Sequence, residues 1–307
     1  MLGNDAGESL NNAQSGRGFW SKFFELTIVR IVIGLIWMVL ALGLVQIAAV
    51  LVSANPAAKQ FLHDTYLPAL VAIIVAIVAY RLFVRWIERR SAGELSFSSA
   101  LPQLGGGALL GAAMFGTTAL ILWTMNCLQI DGTNAWSVLV PAAIGSAVAG
   151  VTEEILFRGI IFRITERSLG TWFALVISAL LFGAIHLLNK NANWYAGLAI
   201  VLEAGVFLAA AYVWSRSLWF VIGAHFAWNF VEGGIVGVAV SGNQSDGLLR
   251  AHMSGPALLS GGAFGAETSV IAIAVCLAVA ITLLILAKRK GRFVKPFWKE
   301  SPPIGAS

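Results

Sequence analysis

Eight long apolar runs, at about residues 23–52, 67–86, 104–128, 136–163, 170–188, 194–214, 217–240 and 269–287, constrain this chain more than any other feature. Each is long enough to cross a hydrocarbon core of roughly 30 Å as a helix, and in lipid only a helix or a closed barrel satisfies every backbone N–H and C=O. The stretches between them carry turn residues, from SANPAAK, DTYLP and IERRSAGELS to QIDGTN, NKNAN and SRS, with one longer Gly/Ser/Pro-rich loop at 241–269. Only 11% of the 307 residues are charged, against roughly 25% in a soluble domain whose surface must be wetted. The expected fold is therefore all-α: a polytopic membrane protein with eight transmembrane helices in one domain over residues 21–290. A disordered polar tail at 1–20 precedes it and a basic tail at 291–307 follows.

The positive charges orient that bundle. With a cytoplasmic N-terminus, one side receives Arg17, Lys22, Arg81, Arg85, Arg89, Arg90, Arg158, Arg163, Arg167, Arg216 and the six Lys and Arg of residues 288–299, which is 16 of the 20. The other side receives Lys59, Lys190 and Arg250, and Arg30 sits inside the first run. This positive-inside bias places both termini in the cytoplasm and accounts for the net charge of +5 without nucleic acid. Cys127 and Cys276 have no paired spacing, which argues against a disulfide framework or a Cys-type zinc site. An Ala- and Gly-rich chain with short loops suits a bacterial plasma membrane.

Ionisable groups inside a span are costly, so each needs a reason. In the fourth run, AGVTEEILFRGIIFR, Glu154 and Arg158 stand four apart in the order that favours an ion pair. Glu153 lies about 140° round the wheel from Arg158 and has no mate on its own helix. The midpoint between Glu153 and His186 of LLFGAIHLL falls at Leu169 and Gly170, where SLGT reads as a turn. An antiparallel hairpin then brings the acid and the imidazole to the same height, a general-base arrangement. In the seventh run, SLWFVIGAHFAWN, His225 and Asn229 share a face. At 1.5 Å per residue His225 lies about 12 Å deep and Glu153 about 15 Å deep. Independent packing residues would not share that layer. Arg30 is close enough to the interface to snorkel, and Glu203 reads as a structural group, a cavity liner or a partner for Arg30.

These residues resemble a known family. EEILFR matches E-E-x-x-x-R, FGAIH matches F-x-x-x-H and HFAWN matches H-x-x-x-N, in the order and spacing of the CPBP family: the type II CaaX prenyl endopeptidases and their bacterial Abi-type relatives. The likeness covers about residues 100–290 and implies an eight-helix, glutamate-dependent intramembrane protease. It implies that Glu153 and His186 activate a water, that His225 and Asn229 hold the oxyanion, and that Glu154 and Arg158 brace the helix. Membrane lipid and a peptide or protein substrate, entering a cavity open to the cytoplasm, are the implied partners, with no cofactor. Glu203 is not a motif position.

Three other readings use the same residues. Glu153, His186 and His225 could be ligands of zinc; the chain could be a non-proteolytic immunity or scaffold protein of the Abi type; or the buried carboxylates could relay protons in a transporter. There is no H-E-x-x-H, Gly145–Ser146 is not in a G-x-S-x-G elbow, and Asp131 and Asp246 fall in loops rather than forming an intramembrane pair.

Overall fold

Backbone that cannot reach water must pair with itself, and here it does so almost wholly as helix. The computed structural model describes residues 26–299; the expected tail at 1–20, Arg17, Lys22 and the residues beyond 299 lie outside them. In chain order the helices are α1 (Thr27–Val52), α2 (Pro56–Thr65), α3 (Leu67–Trp86), α4 (Ala100–Thr124), α5 (Leu139–Glu154), α6 (Arg163–His186), α7 (Trp194–Ile200), α8 (Val206–Ser215), α9 (Leu218–Asn229), the short α10 (Ala257–Ser260) and α11 (Val270–Arg289). Strands β1 (Leu128–Thr133) and β2 (Leu249–Met253) form an antiparallel ribbon that the hydrophobic pattern does not announce.

By length and composition, six of the described helices can cross a membrane. Eight runs were expected, and the difference has a physical origin. The fourth and fifth runs fall within one stretch, Trp136–His186, but it is two helices joined by a turn at Gly170 with φ 80° and ψ 170°, so both runs are present. A left-handed φ is open to glycine at little cost. Beyond that turn Ser178 reaches Phe157 and the Phe182 ring meets Phe157, so the two halves lie side by side as the spacing predicted. The seventh run is the buried α9, whose His225 and Asn229 dilute its apolar character. The lipid-facing surface is plain on α1, where Leu40, Leu44 and Leu51 are exposed.

Small residues let the inner helices touch. A Cβ on Gly107 would sit 1.9 Å from the Phe220 carbonyl oxygen, and one on Gly111 would sit 2.1 Å from that of Ala224; from the other side, Gly223 presses on Leu104. The α4–α9 contact is thus backbone on backbone, as membrane helices without a hydrophobic driving force favour. Gly183 meets the Gly197 carbonyl and Gly205 meets Ala179 in the same way, joining α6 to α7 and the turn that follows it.

Helix ends alternate between two faces of the bundle. One, the basic face, carries Arg163 bonded to Glu88 at 2.7 Å, Arg90 bonded to Glu94 at 2.7 Å, and Tyr80 donating to Glu94. On this face Arg216 grips both Glu166 and the Arg292 carbonyl, Thr171 exchanges backbone and side-chain hydrogen bonds with Val294, and Trp298 packs on Phe173. The segment after α11 therefore straps the Gly170 turn, with Pro296 against Gly170 itself. The opposite face, the loop face, carries α2, the ribbon and residues 237–269, stitched by Asn134 to Gly247, Asn191 to Gly242 and Tyr195 to Thr268.

Candidate active site

Four helical elements deliver the polar residues; α6 stays regular at His186, and the other three lose their regular pitch. π-helical turns span Ile155–Phe162 directly after Glu153 and Glu154, Val201–Gly205 around Glu203, and Phe230–Val236 directly after Asn229. A π-turn widens the helix and frees carbonyls from their usual partners, and such turns recur at functional sites. Some of the freed groups find a partner here: Arg158 donates from one guanidinium nitrogen to the carbonyls of Ala204 and Gly205, at 3.1 and 3.2 Å.

Glu154 and Arg158 are both fully buried and pair at 3.0 Å, as their spacing predicted. The same Glu154 oxygen also accepts from His225 Nδ1 at 2.8 Å. That bond crosses from α5 to α9, so no helical wheel could have revealed it. Glu154 is more than a brace for its own helix: it fixes the ring of His225. Arg158 stacks on the Phe182 ring at 4.6 Å, and that ring in turn packs against both His186 and His225.

His186 is oriented by a different device. Its Nδ1 lies 2.7 Å from the Phe182 carbonyl one turn back, so that nitrogen carries the proton. Both imidazoles thus have Nδ1 engaged and turn Nε2 inward. The two Nε2 atoms stand 3.9 Å (His186) and 4.0 Å (His225) from one atom, Glu153 Oε2. These distances exceed direct hydrogen bonds and leave the span that a small bridging group fills. Glu153 Oε2 has no hydrogen-bond partner within the protein, and its side chain is 31% exposed where its neighbours in the site are almost closed. Asn229 lies one turn beyond His225 and lines a small cavity of about 20 Å³ together with His186 and His225. That is space for about one water.

Two further acids line this cavity: Glu203, for which the sequence left a cavity-lining role open, and Glu267, which it did not single out. Glu203 is buried and accepts from the Cys276 thiol at 3.4 Å. Arg30, once considered as its partner, lines a separate hollow on the basic face with Glu88 and Arg167. Glu267 comes from the 241–269 loop, which folds back into the bundle instead of lying over it. Burial pushes the Glu267 carboxyl up to about 7, although hydrogen bonds from Ser241 work the other way. Glu232, also fully buried, accepts from the Glu267 backbone N–H. The signal for this loop was an acid set among small apolar residues, GGAFGAETS, where an exposed loop would be more polar. Among the described residues, no group of three or more His, Cys, Asp and Glu is arranged to hold a metal ion.

With this geometry in view, comparison with known proteins is informative. Residues 135–231 match the family model described as Type II CAAX prenyl endopeptidase Rce1-like. The chain is also similar to a Bacillus subtilis (strain 168) protein named "Putative membrane peptidase YdiL", 24% identical over 185 residues, which is 57% of this chain and 73% of that protein. No solved structure matches it. The resemblance first drawn from three short motifs is borne out, and Glu153, His186, His225 and Asn229 all fall within the matched residues.

Proposed function

We propose, for a chain that carries an Rce1-like segment over residues 135–231, that it is a membrane-embedded endopeptidase with Glu153 as general base. One observation carries the reading. Two imidazoles, each with Nδ1 already committed, direct Nε2 at the one Glu153 oxygen that the protein leaves unpartnered.

Peptide hydrolysis needs a base to deprotonate water and donors aimed at the charge that develops on the carbonyl oxygen. A water held between Glu153 Oε2 and His186 Nε2 loses its proton to this pair as it attacks the scissile carbonyl. The proton then passes to the leaving amine. His225 Nε2 and the Asn229 amide stabilise the oxyanion. To donate from Nε2 while Nδ1 bonds Glu154, the His225 ring must carry both protons, and the Glu154 carboxylate supplies its counter-charge. Arg158 positions Glu154, and through it His225, without touching the reacting atoms. The substrate is a peptide bond of a membrane-associated or lipidated protein.

The test compares protein fragments in membranes from cells carrying the wild-type chain or the Glu153→Gln form, identified by mass spectrometry. New C-terminal fragments should depend on Glu153, and the same loss should follow His186→Ala. Fragments that persist undiminished with Glu153→Gln would sink the proposal and return weight to a non-catalytic role of the Abi type.

A further inference from the structure

A furrow of about 730 Å³ lies between α1 and α3, apart from the candidate site. Ala41, Leu44 and Ala48 of α1 and Val71, Val75 and Val78 of α3 form its walls, spaced three and four apart on each helix. Stripes so spaced usually zip two helices together. Here the helices meet at the furrow's inner end, where the Trp37 indole donates to the Ala79 carbonyl at 2.9 Å. Toward the loop face they part, and Leu44 and Ile74 stay 67% and 60% exposed although both line the furrow. There α2 connects them and adds Leu62 to the wall. No lining residue carries a charge, a hydroxyl or an amide side chain.

We infer that this furrow holds one acyl chain of a phospholipid from the loop-face leaflet, with the lipid phosphate beside Lys59. From Trp37 to Val52 the furrow is about 22 Å long at the helical rise. That is the depth of one leaflet with its headgroups, about half of 40–45 Å. Trp37 stands near the middle of the 26-residue α1, so the acyl chain ends near mid-bilayer, against the indole. The furrow's volume over that length leaves a mean cross-section of about 33 Å², against about 80 Å² for a helix about 10 Å across. A hydrocarbon chain fits that width, and a transmembrane helix of a second copy does not. Left empty, the two walls would forfeit dispersion contacts along their whole length. At the mouth Lys59 is exposed three residues before Leu62, on the same face of α2. The acid of that helix, Asp64, is already engaged by Gln60 and His63, which leaves the ammonium for an anionic headgroup.

The test weighs the purified full chain by native mass spectrometry, after exchange into a detergent that strips loosely held lipid. Wild type should retain one phospholipid per chain. Ala48→Trp fills the furrow from an exposed position and should retain at least tenfold less. Ile47→Trp, exposed on the same helix but outside the furrow, should match wild type. Added long-chain phosphatidylglycerol should raise the melting temperature of wild type and of Ile47→Trp but not of Ala48→Trp, and its short-chain analogue should raise none of them. Lys59→Gln, a surface change, should weaken retention of phosphatidylglycerol several-fold. A wild type that retains no phospholipid, equal retention in Ala48→Trp or in Lys59→Gln, or a dimer that Ala48→Trp disrupts would overturn the inference. Neither readout involves cleavage, so the result is independent of the fate of Glu153→Gln.

Discussion

Gly111→Ala should disable the site without unfolding the bundle. The added Cβ would stand 2.1 Å from the Ala224 oxygen where ordinary contact begins at 3.4 Å, a shortfall of about 1.3 Å that only a movement of α9 against α4 can relieve. Overpacking of this kind costs about 1–3 kcal/mol, which a bundle this size survives. Ala224 is the immediate neighbour of His225, however, so the displacement is transmitted to Nε2 on the scale of the 4.0 Å gap to Glu153. A misplacement of about 1 Å at a reacting group costs about 10²-fold in rate. The companion change Gly116→Ala lies on the same helix where nothing is within 4 Å; there alanine gains about 1 kcal/mol in helix propensity. The assay is the yield of Glu153-dependent fragments per amount of folded protein, with thermal unfolding in detergent as the measure of folding. Gly111→Ala should lose about two orders of magnitude in yield with a small drop in melting temperature, and Gly116→Ala should lose nothing. Full activity in Gly111→Ala, or an equal loss in Gly116→Ala, would refute the argument that close helix contact positions His225.

Four further outcomes follow from the structure. Glu154→Gln keeps the shape but removes the charge shared by Arg158 and His225, so cleavage should fall about 10²-fold or more, on the scale of losing one oriented donor, while Arg158→Met should destabilise the fold by about 3–5 kcal/mol, because it strands a buried carboxylate; equal rates for Glu154→Gln and wild type would contradict the first. Burial opposes ionisation of Glu94, but the hydrogen bond from Arg90 and the charge of Arg163 hold its carboxyl below the usual range. A depressed carboxyl stabilises the fold at neutral pH and gives that stability up as pH falls through its folded-state value, so wild type should lose more stability on acidification than Glu94→Gln, as melting curves against pH would record. Cleavage should continue in a strong chelator if Glu153 and the histidines act on water directly; loss of activity restored by added zinc would convert the three groups into metal ligands.

What could be read from the chain was whatever depends on spacing along it. Counting residues to Leu169 and Gly170 foretold that Glu153 and His186 would face each other, and the i, i+4 interval foretold the Glu154–Arg158 pair, because both follow from helix geometry alone. The bond from His225 to Glu154 was hidden, since it depends on how α9 rotates against α5, which the Gly107 and Gly111 contacts decide. The π-turns were hidden too: a hydrophobic pattern sampled at 3.6 residues per turn does not register a local shift to a wider helix. Glu267 and Ser241 escaped because a Gly/Ser/Pro-rich stretch looks the same whether it floats outside the bundle or folds back into it.

The strap across the Gly170 turn sets an order of assembly. Thr171 and Val294, which bond to each other, stand 123 positions apart in the chain. A ribosome making this protein therefore lays down the two spans bearing Glu153 and His186 long before the piece that clamps their shared bend. Until that late piece arrives, the bend relies on contacts made earlier in the chain, among them Arg163 with Glu88 and Arg216 with Glu166. A protease assembled in this sequence gains its final rigidity near the end of its own synthesis, when its remaining helices already surround the acid.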